Sequence, residues 1–455
     1  MSSFRWIIIT VAVVVVLLIA AIAVGGVWLN SFIHSPAFLA EVEARAGQSL
    51  GGTVQIKSID FDIVHGVKLN GLVTQIGLSG GAGNLQANVA TVSCAIDWSE
   101  LFSRRLKFTG VTLDQPQIVL SKQPAAPLST PDTTTSPENP AASGGGSGAG
   151  GGISAAAFQF VLDHAQISNG SVALQDAGGA SLVNLQGVNV SADTAGLLTG
   201  QDVTGTVKVA NAALPPGFTV TNFSTPFTYH PGSVTAKPLA ASAFDGNLAG
   251  DYNLVLYSGP SILNLNGKGL DVAKLLTALS PTSSTATLTG SLDIQSKWRA
   301  IEQGAVDGEG DLQLANGQLH GVQILNDIAG LLKINELNDP VISQGQTHFQ
   351  IANRQTRLTS LQLVSKGFTI TGGGVVGFDG GLNLNLVLTL SKDAMGRLPQ
   401  QVAGSFVAQP DGTGTIGFNV TGTTSNPQTD LPQRLLMQNT QIKNVLNKAL
   451  NKFFH

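Results

Sequence analysis

The chain has 455 residues, enough for two or three ordinary domains or for one large body built on β-sheet. Only 11% of the residues are charged, against about 25% in a typical soluble domain, and 54 are glycine. This composition excludes a coiled coil and a charge-rich disordered chain, and a net charge of -4 excludes a basic surface for nucleic-acid phosphates. The single cysteine, Cys94, excludes a disulfide framework and any site that needs several cysteines.

The N-terminal region contains a long uncharged apolar segment, from Ile7 to Val27. As a helix it would span roughly 30 Å, the hydrocarbon thickness of a bilayer. Arg5 precedes it, so the positive-inside rule places the N-terminus in the cytoplasm and the body of the chain across the membrane. A cleaved signal peptide is the alternative, because Ala21-Ile22-Ala23 resembles a cleavage site. The apolar region of a signal peptide is usually about 7 to 15 residues, so we expect an uncleaved transmembrane anchor.

A short helix and then a series of strands are predicted after the anchor. Ser35-Pro36 is a helix-start signal, and Gly51-Gly52 ends the helix. Alternation of apolar and polar residues begins at Ile59 and continues to Leu120, which predicts strands. Residues 122–152 are rich in Pro, Ser and Thr and then in Gly, which predicts a flexible linker.

Strands resume beyond the linker, and the clearest of them runs from Leu382 to Leu390. Every second residue in it is Leu, and the residues between are Asn, Asn, Val and Thr. One face of this strand is therefore apolar and the other mostly polar. Shorter runs of the same kind precede it. The candidate residues of the apolar face are Leu254, Leu256, Leu312, Leu314, Leu382, Leu384, Leu386, Leu388 and Leu390.

Helical periodicity occurs in few places after the linker. Asp271 is expected to cap a helix from Val272 to Leu279, and 321–337 has apolar residues at helical spacing. Residues 432–454 predict an amphipathic helix with basic side chains beside its apolar face. Such a helix can lie on an anionic lipid surface or can cap the open end of a sheet, and the sequence leaves both open. The membrane-surface candidates are Arg434, Lys443, Lys448 and Lys452.

Two architectures can accommodate many one-sided strands and few helices. Two sheets can bury each other in a sandwich, or one long sheet can curl around an apolar groove. The strand pattern alone favours the sandwich.

The sequence predicts no catalytic, cofactor or metal site, and we do not expect an enzyme. Gly372, Gly374 and Gly377 match the dinucleotide-binding spacing, but a strand follows them instead of the helix that binds the pyrophosphate. We interpret them as a turn between strands, and we interpret residues 307–309 as another turn with solvated carboxylates. Cys94 is expected to be a small buried residue.

Several segments, taken in order, resemble the AsmA family of inner-membrane-anchored envelope proteins. Each segment is a degenerate strand-and-turn phrase, and the order in which they follow the N-terminal apolar segment carries the resemblance. The segments are IDFDIVHGVKLNGLV at 59–73, WSELFSRRLKFTGVTLDQPQIVL at 98–120, FVLDHAQISNGSVALQD at 160–176, TLTGSLDIQSKW at 287–298, GEGDLQLANGQLHGVQILNDIAGLL at 308–332 and VSKGFTITGGGVVGFDGGLNLNLVL at 364–388.

The resemblance implies a mainly β protein in which a long curved antiparallel sheet forms an apolar groove. With the resemblance included, the groove is favoured over the sandwich. It implies a single-pass protein of the bacterial inner membrane with a periplasmic body, associated with phospholipid movement or outer-membrane assembly. The implied partners are phospholipid or another acyl lipid and outer-membrane or envelope proteins, with no nucleic acid. The alternative is a non-enzymatic scaffold with a closed sandwich that acts through protein partners. The predicted parts are a cytoplasmic stub (1–6), the anchor (7–29), a first helix and sheet segment (35–121), the linker (122–152), a second sheet domain (153–430) and a C-terminal amphipathic helix (431–455).

Overall fold

A computed structural model describes residues 36–437, except 63–65, 79–82, 98, 100–104, 123–158, 196–200, 258, 280–286, 301–305 and 333. The predicted anchor, nearly all of the predicted linker and the C-terminal helix beyond Met437 lie outside the described residues. Within the described residues, no helix is long and apolar enough to cross a membrane. The chain is mainly β, with extensive, mostly antiparallel sheet and few helices, as its sequence predicted. It divides into two compact units, residues 1–209 and 210–455.

The first unit contains one described helix followed by a sheet. The helix begins at Pro36 and ends before Gly51, as the sequence predicted, and Gly51 has a φ of +66°, the left-handed conformation that favours glycine after a helix. The elements are α1 (Pro36–Leu50), β1 (Gly52–Asp62), β2 (Gly66–Leu78), β3 (Gly83–Asp97), β4 (Arg105–Asp114), β5 (Gln117–Ser121), β6 (Gln159–Leu162), β7 (His164–Gln175), β8 (Ser181–Asp193) and β9 (Val203–Leu214), which crosses the boundary to the second unit.

The sheet of the first unit is antiparallel except where the chain returns after β5. Strands β1, β2 and β3 pair antiparallel in order, and β4 and β5 both pair with β3 along successive parts of its length. Strand β6 pairs parallel with β4, and β7 pairs parallel with β4 and then with β5. Strand β8 then pairs antiparallel with β7. The strands before and after the predicted linker are therefore neighbours in one sheet.

The apolar residues of β1 to β4 and the helix α1 form a closed core. Val42 and Ala46 of α1 are buried, and the Glu43 carboxylate accepts a hydrogen bond from the backbone N–H of Ile56 at 2.6 Å, which ties the helix to β1. Cys94 is buried, as expected, and burial raises the pKa of its thiol to about 12. Other buried members are Val54, Ile59, Leu69, Leu72, Val92, Phe108 and Val111.

The second unit is an antiparallel sheet whose strands follow one another in chain order. Each strand from β10 to β19 pairs with the next, β19 pairs with β21, and β21 also pairs with β20 and β22. The elements are β10 (Phe218–His230), β11 (Ser233–Ala243), β12 (Gly246–Val255), β13 (Ser261–Asp271), α2 (Val272–Leu279), β14 (Thr287–Ala300), β15 (Val306–His320), α3 (Gln323–Leu332), a 3-10 turn (Asn335–Leu337), β16 (Val341–Ala352), β17 (Gln355–Ser365), β18 (Phe368–Gly377), β19 (Gly381–Leu390), α4 (Lys392–Arg397), α5 (Gln400–Ala403), β20 (Val407–Ala408), β21 (Gly414–Thr423), β22 (Asn426–Thr429) and α6 (Leu431–Met437).

Three strands of this sheet, β13, β15 and β19, run in the same direction, and each leads directly into a helix. The helices α2, α3 and α4 therefore all start from one edge of the sheet, which we call the helix-bearing edge. Tight turns such as 353–354 and 378–380 connect strands at the opposite edge. Helix α2 begins as predicted, because the Asp271 carboxylate accepts a hydrogen bond from the backbone N–H of Lys274 at 3.0 Å.

Two predicted turns are wrong in detail, because both lie inside strands. Residues 307–309 belong to β15, where the missing side chain of Gly308 leaves room for the Trp298 ring of the neighbouring strand. Gly372, Gly374 and Gly377 belong to β18, and the turn follows them. The predicted helix over 321–337 is shorter than expected, since α3 ends at Leu332 and a 3-10 turn follows.

Candidate functional site: the apolar face of the second sheet

Strand pairing brings most of the predicted leucines to one face of the second sheet. Residues directly opposite each other on neighbouring strands point to the same side. Leu388 lies opposite Ile370 of β18 and opposite Ile416 of β21, and Leu386 lies opposite Phe418. The alternate leucines of β19 therefore share their face with apolar residues on both adjacent strands.

The same face continues to the other predicted residues. Leu363 of β17 lies opposite Ile370, Gly345 of β16 lies opposite Leu363, and Leu314 of β15 lies opposite Gly345. On β14, Leu292 lies opposite Leu314 and Ile294 lies opposite Leu312. Gly267 of β13 lies opposite Ile294, and Leu248 of β12 lies opposite Gly267. Leu254 is on the same face as Leu248, and Leu256 lies one residue beyond the end of β12. We call this surface the apolar face.

Burial along the apolar face changes from one end to the other. Leu388 and Leu390 are 2% and 0% exposed and belong to a closed core, and Leu382, Leu384 and Leu386 pack against that core while staying partly exposed. The face is half-buried in the middle strands, β12 to β15. The half-buried residues there are Leu248, Leu254, Leu263, Leu265, Leu292, Ile294, Leu312 and Leu314.

The closed end is covered by a group of short helices, α3, α4, α5 and α6, which we call the helical cap. Leu332 of α3, Ala394 of α4 and Leu431 of α6 are fully buried in one core with Leu390 of β19. The Ser405 hydroxyl donates a hydrogen bond to the carbonyl oxygen of Leu435 at 2.8 Å and joins α6 to the segment after α5. The helical cap therefore seals the apolar face at strands β18, β19 and β21.

An ion pair also joins two parts of the helical cap. The guanidinium of Arg397, in α4, lies 2.6 Å from the carboxylate of Glu336, in the 3-10 turn. Its hydrogen bond to Glu336 is the main reason that the pKa of this carboxyl is lowered, and the backbone of Glu336 and the charge of Lys366 act in the same direction.

One of the predicted membrane-surface residues, Arg434, lies at this end of the unit. Arg434 lies in α6, and its guanidinium is 2.8 Å from the Asp430 carboxylate. The apolar residues Leu431 and Leu435 of α6 are buried against the sheet, so the described part of this helix caps the sheet. Lys443, Lys448 and Lys452 lie outside the described residues.

In the described part of the unit, the leucines of the middle strands belong to neither of the two closed cores. The main contacts of these strands are with their partners in the sheet and with α2, which contacts β13 and β14. On the opposite face, Asn253, Asp293 and Gln313 are exposed, and Asn264 donates a hydrogen bond to Asp251 at 2.9 Å. The sheet is therefore apolar on one side and hydrated on the other.

A row of half-buried leucines can bind a ligand by apolar contact. In the described residues, no group of three or more His, Cys, Asp and Glu side chains is placed to hold a metal ion. Each methylene group that a ligand buries on such a surface is worth about 0.8 kcal/mol. The half-buried leucines supply this kind of surface for an alkyl chain.

The apolar face also has an aromatic part, which the sequence did not predict. Trp298 lies opposite Leu263, and its ring is 6.2 Å from the ring of Phe349. The Trp298 indole N–H donates a hydrogen bond to the hydroxyl of Ser296, at 2.9 Å, so its polar group is satisfied on the apolar face. The alternation of Leu292, Ile294, Ser296 and Trp298 was the signal that could have identified this residue.

Comparisons with protein-family models, with curated proteins and with solved structures found no match. The AsmA resemblance stays a prediction that rests on the order of its sequence segments.

Proposed function

We propose that this chain is an inner-membrane-anchored periplasmic protein that holds lipid acyl chains on the apolar face and contributes to phospholipid transfer or outer-membrane assembly. The observation that carries the proposal is the half-buried row of leucines across β12 to β15, beside an end that is already closed. In a dry sandwich these side chains would be covered by a second sheet. Half-buried leucines on a continuous face gain free energy when an alkyl chain lies over them.

The membrane anchor and the location are the sequence-based parts of the proposal. They rest on the uncharged segment from Ile7 to Val27 and on Arg5 before it. An anchored protein with an apolar surface outside the bilayer is suited to receive lipid from the membrane that holds it.

A scaffold that acts through protein partners is the second candidate. The closed cores beneath α1 and the helical cap favour it, because they show that much of the chain is ordinary packed structure. A scaffold would cover the leucines of β12 to β15 with a protein partner rather than with lipid.

Site-specific photocrosslinking of the full chain in bacterial cells distinguishes these two functions. A benzophenone amino acid replaces Leu312 on the apolar face in one variant and Gln313, its exposed neighbour on the opposite face, in another. Lipids are labelled with radioactive phosphate before irradiation. We expect labelled lipid on the chain with the probe at position 312 and none with the probe at 313.

A third variant carries the probe at Leu390, inside the closed core, where no lipid is expected. Crosslinks from position 312 to proteins alone would support the scaffold. Equal lipid labelling at 312 and 313 would contradict the proposal, because it would mean contact with lipid on both faces.

A further inference from the structure

The last described helix, α6, packs on the apolar side of the second sheet. Leu431 and Leu435 are buried in the same core as Phe418 of β21, which belongs to the apolar face because it lies opposite Leu386. Arg434, between the two buried leucines, is exposed. One side of α6 is therefore turned towards the apolar face and the other towards solvent.

The apolar stripe that α6 buries continues in the sequence beyond Met437. At 3.6 residues per turn, the members of this stripe fall within an arc of about 60° around the helix axis. They are Leu431, Leu435, Ile442, Leu446, Ala449 and Phe453. Residues 438–455 lie outside the described residues, but a helix that continued α6 would keep this stripe on the side that α6 turns towards the sheet.

Four leucines of the apolar face lie near the helical cap and stay half-buried. Leu363 of β17 and the two leucines of β19 pack against the edge of the cap core, and Leu314 lies on the same row as Leu363, with Gly345 between them. We call Leu314, Leu363, Leu384 and Leu386 the cap-side leucines. Because each of them still has exposed area, a further apolar layer over them would be stabilising.

The length of the C-terminal segment matches the distance across these leucines. Residues 438–455 are 18 positions, which as a helix extend about 27 Å. Strands β21 and β15 are five pairing steps apart, which is about 24 Å at ~4.8 Å per step. Helix α3 gives a second measure of the distance, because it starts directly after β15 and contacts α6 with only ten residues.

The basic residues of the segment flank its apolar stripe and do not interrupt it. Lys443 lies on one side of the stripe, and Lys448 and Lys452 lie on the other. Their alkyl stems can lie along an apolar surface while the ammonium groups stay in water, so a helix docked on the sheet would bury no charge. An anionic lipid surface would also accept such a helix. The burial of Leu431 and Leu435 favours the sheet, because the start of the stripe already faces it.

We infer that residues 438–455 continue α6 as a helix that docks on the cap-side leucines, so that the chain's own C-terminal segment competes with lipid for this part of the apolar face. The docking rests on the packing of α6 and on the length and pattern of the segment. The competition rests on the proposed function. A docked helix would keep the leucines out of water until an alkyl chain displaces it.

Photocrosslinking from the segment tests the docking. A benzophenone amino acid replaces Phe453 in the full chain in bacterial cells whose lipids carry radioactive phosphate. Phe453 is 18 residues beyond Leu435, about 27 Å along a helix, so it should lie over Leu312 or Leu314 of β15. We expect a monomer-sized product in which position 453 is joined to the β15 peptide, identified by mass spectrometry after proteolysis.

The matched control carries the same probe at Asn447, which lies about 130° from the centre of the stripe. We expect no crosslink from this position to the strands of the second unit. Radioactive lipid on the probe at 453 would overturn the inference in favour of a helix on the membrane surface. No crosslink from 453, or equal crosslinks from 447 and 453, would also overturn it.

A second measurement tests the competition, with the lipid-reporting probe at position 312. Leu446→Asp puts a charge in the middle of the stripe and should release the helix from the sheet. We expect labelled lipid at 312 to rise by up to about tenfold, the scale of losing one buried apolar side chain. Asn447→Asp adds the same charge on the other side of the helix and should leave the labelling unchanged.

The two measurements separate the inference from the proposed function. Lipid at 312 that Leu446→Asp leaves unchanged would overturn the competition while the proposed function stood. If neither the native sequence nor Leu446→Asp gives labelled lipid at 312, the proposed function fails and the competition with it. The crosslink from position 453 to β15 still decides the docking in that case.

Discussion

Gly374 and Gly372 show how single residues set the spacing of strands at the closed end of the apolar face. Gly374 has a φ of +154°, and a Cβ there would overlap the carbonyl oxygen of Asn383 on β19. We expect Gly374→Ala to force β18 and β19 apart and to lower the free energy of unfolding of the second unit by about 2 kcal/mol or more. The measurement is a denaturant titration of the full chain followed by circular dichroism.

Gly417→Ala is the matched control for that substitution. Gly417 lies in β21 of the same sheet, and the nearest atom to a Cβ at this position, the carbonyl oxygen of Leu386, is 3.9 Å away. The change in the free energy of unfolding should therefore stay within about 0.5 kcal/mol. Equal effects of the two substitutions would show that the close approach at Gly374 does not limit stability.

Residue-scale features differ in how far the sequence predicts them. The Asp271 cap was predicted because a capping residue and its helix are adjacent in the chain. The ion pair between Lys274 and Asp245 was not predicted, because 29 positions separate the two residues and only the pairing of β12 and β13 brings them together. The glycine spacing at 372–377 predicts a turn, but these glycines lie within a strand, because periodicity does not reveal how closely a neighbouring strand approaches.

At the scale of elements, the helical cap depends on contacts between short segments that have little stability of their own. The Arg397–Glu336 ion pair joins α4 to the 3-10 turn after α3. Since the pKa of Glu336 is lowered in the folded protein, this pair adds stability above the ordinary carboxyl pKa and loses it as the pH falls through the folded value. Both side chains are more than a third exposed, so solvent limits the contribution to at most about 1 kcal/mol.

We therefore expect Arg397→Gln to lower the unfolding midpoint of the second unit slightly at pH 7 and to have a smaller effect at pH 3, below the ordinary carboxyl pKa. The measurement is thermal unfolding of the native chain and the variant at both pH values. Arg357→Gln is the control, because Arg357 lies exposed on β17, away from the helical cap. A difference between Arg397→Gln and the native chain that persists unchanged at pH 3 would contradict a role for the Glu336 charge.

The leucine strand shows what period-two alternation can predict at this scale. Alternation from Leu382 to Leu390 correctly predicted a strand with one apolar face, and pairing with β18 and β21 extends that face. It could not predict that Leu388 and Leu390 are sealed while Leu312 and Leu314 are half-buried. That difference comes from helices that are distant in the chain, so the choice between groove and sandwich depends on tertiary packing.

At the scale of the whole chain, the segment between β5 and β6 must return along the full length of a strand. Strands β4 and β5 follow one another along β3, so that they form one continuous path from Arg105 to Ser121. Strand β6 pairs in parallel with the start of this path, with Gln159 opposite Arg105. The chain that leaves β5 at Ser121 therefore has to return to the other end of the path. The path from 105 to 121 is about 55 Å at ~3.3 Å per residue. The composition of 122–152 predicted a linker, and its required reach follows only from the strand pairing.

Two internal deletions test this requirement. Removing 140–152 leaves 24 residues between Ser121 and Gln159, which can span about 80 Å and should leave β6 paired with β4. Removing 124–152 leaves eight residues, which span only about 30 Å when fully extended, so the pairing of β4 with β6 cannot form. Amide hydrogen exchange of the full chain measures this directly. We expect native protection of β4 and β6 in the first deletion, because the free energy of loop closure changes only slowly with loop length. We expect β6 to lose its protection in the second deletion, because eight residues cannot reach its pairing position. Native protection in both deletions would mean that the chain reaches β6 by a shorter route than parallel pairing with β4 requires.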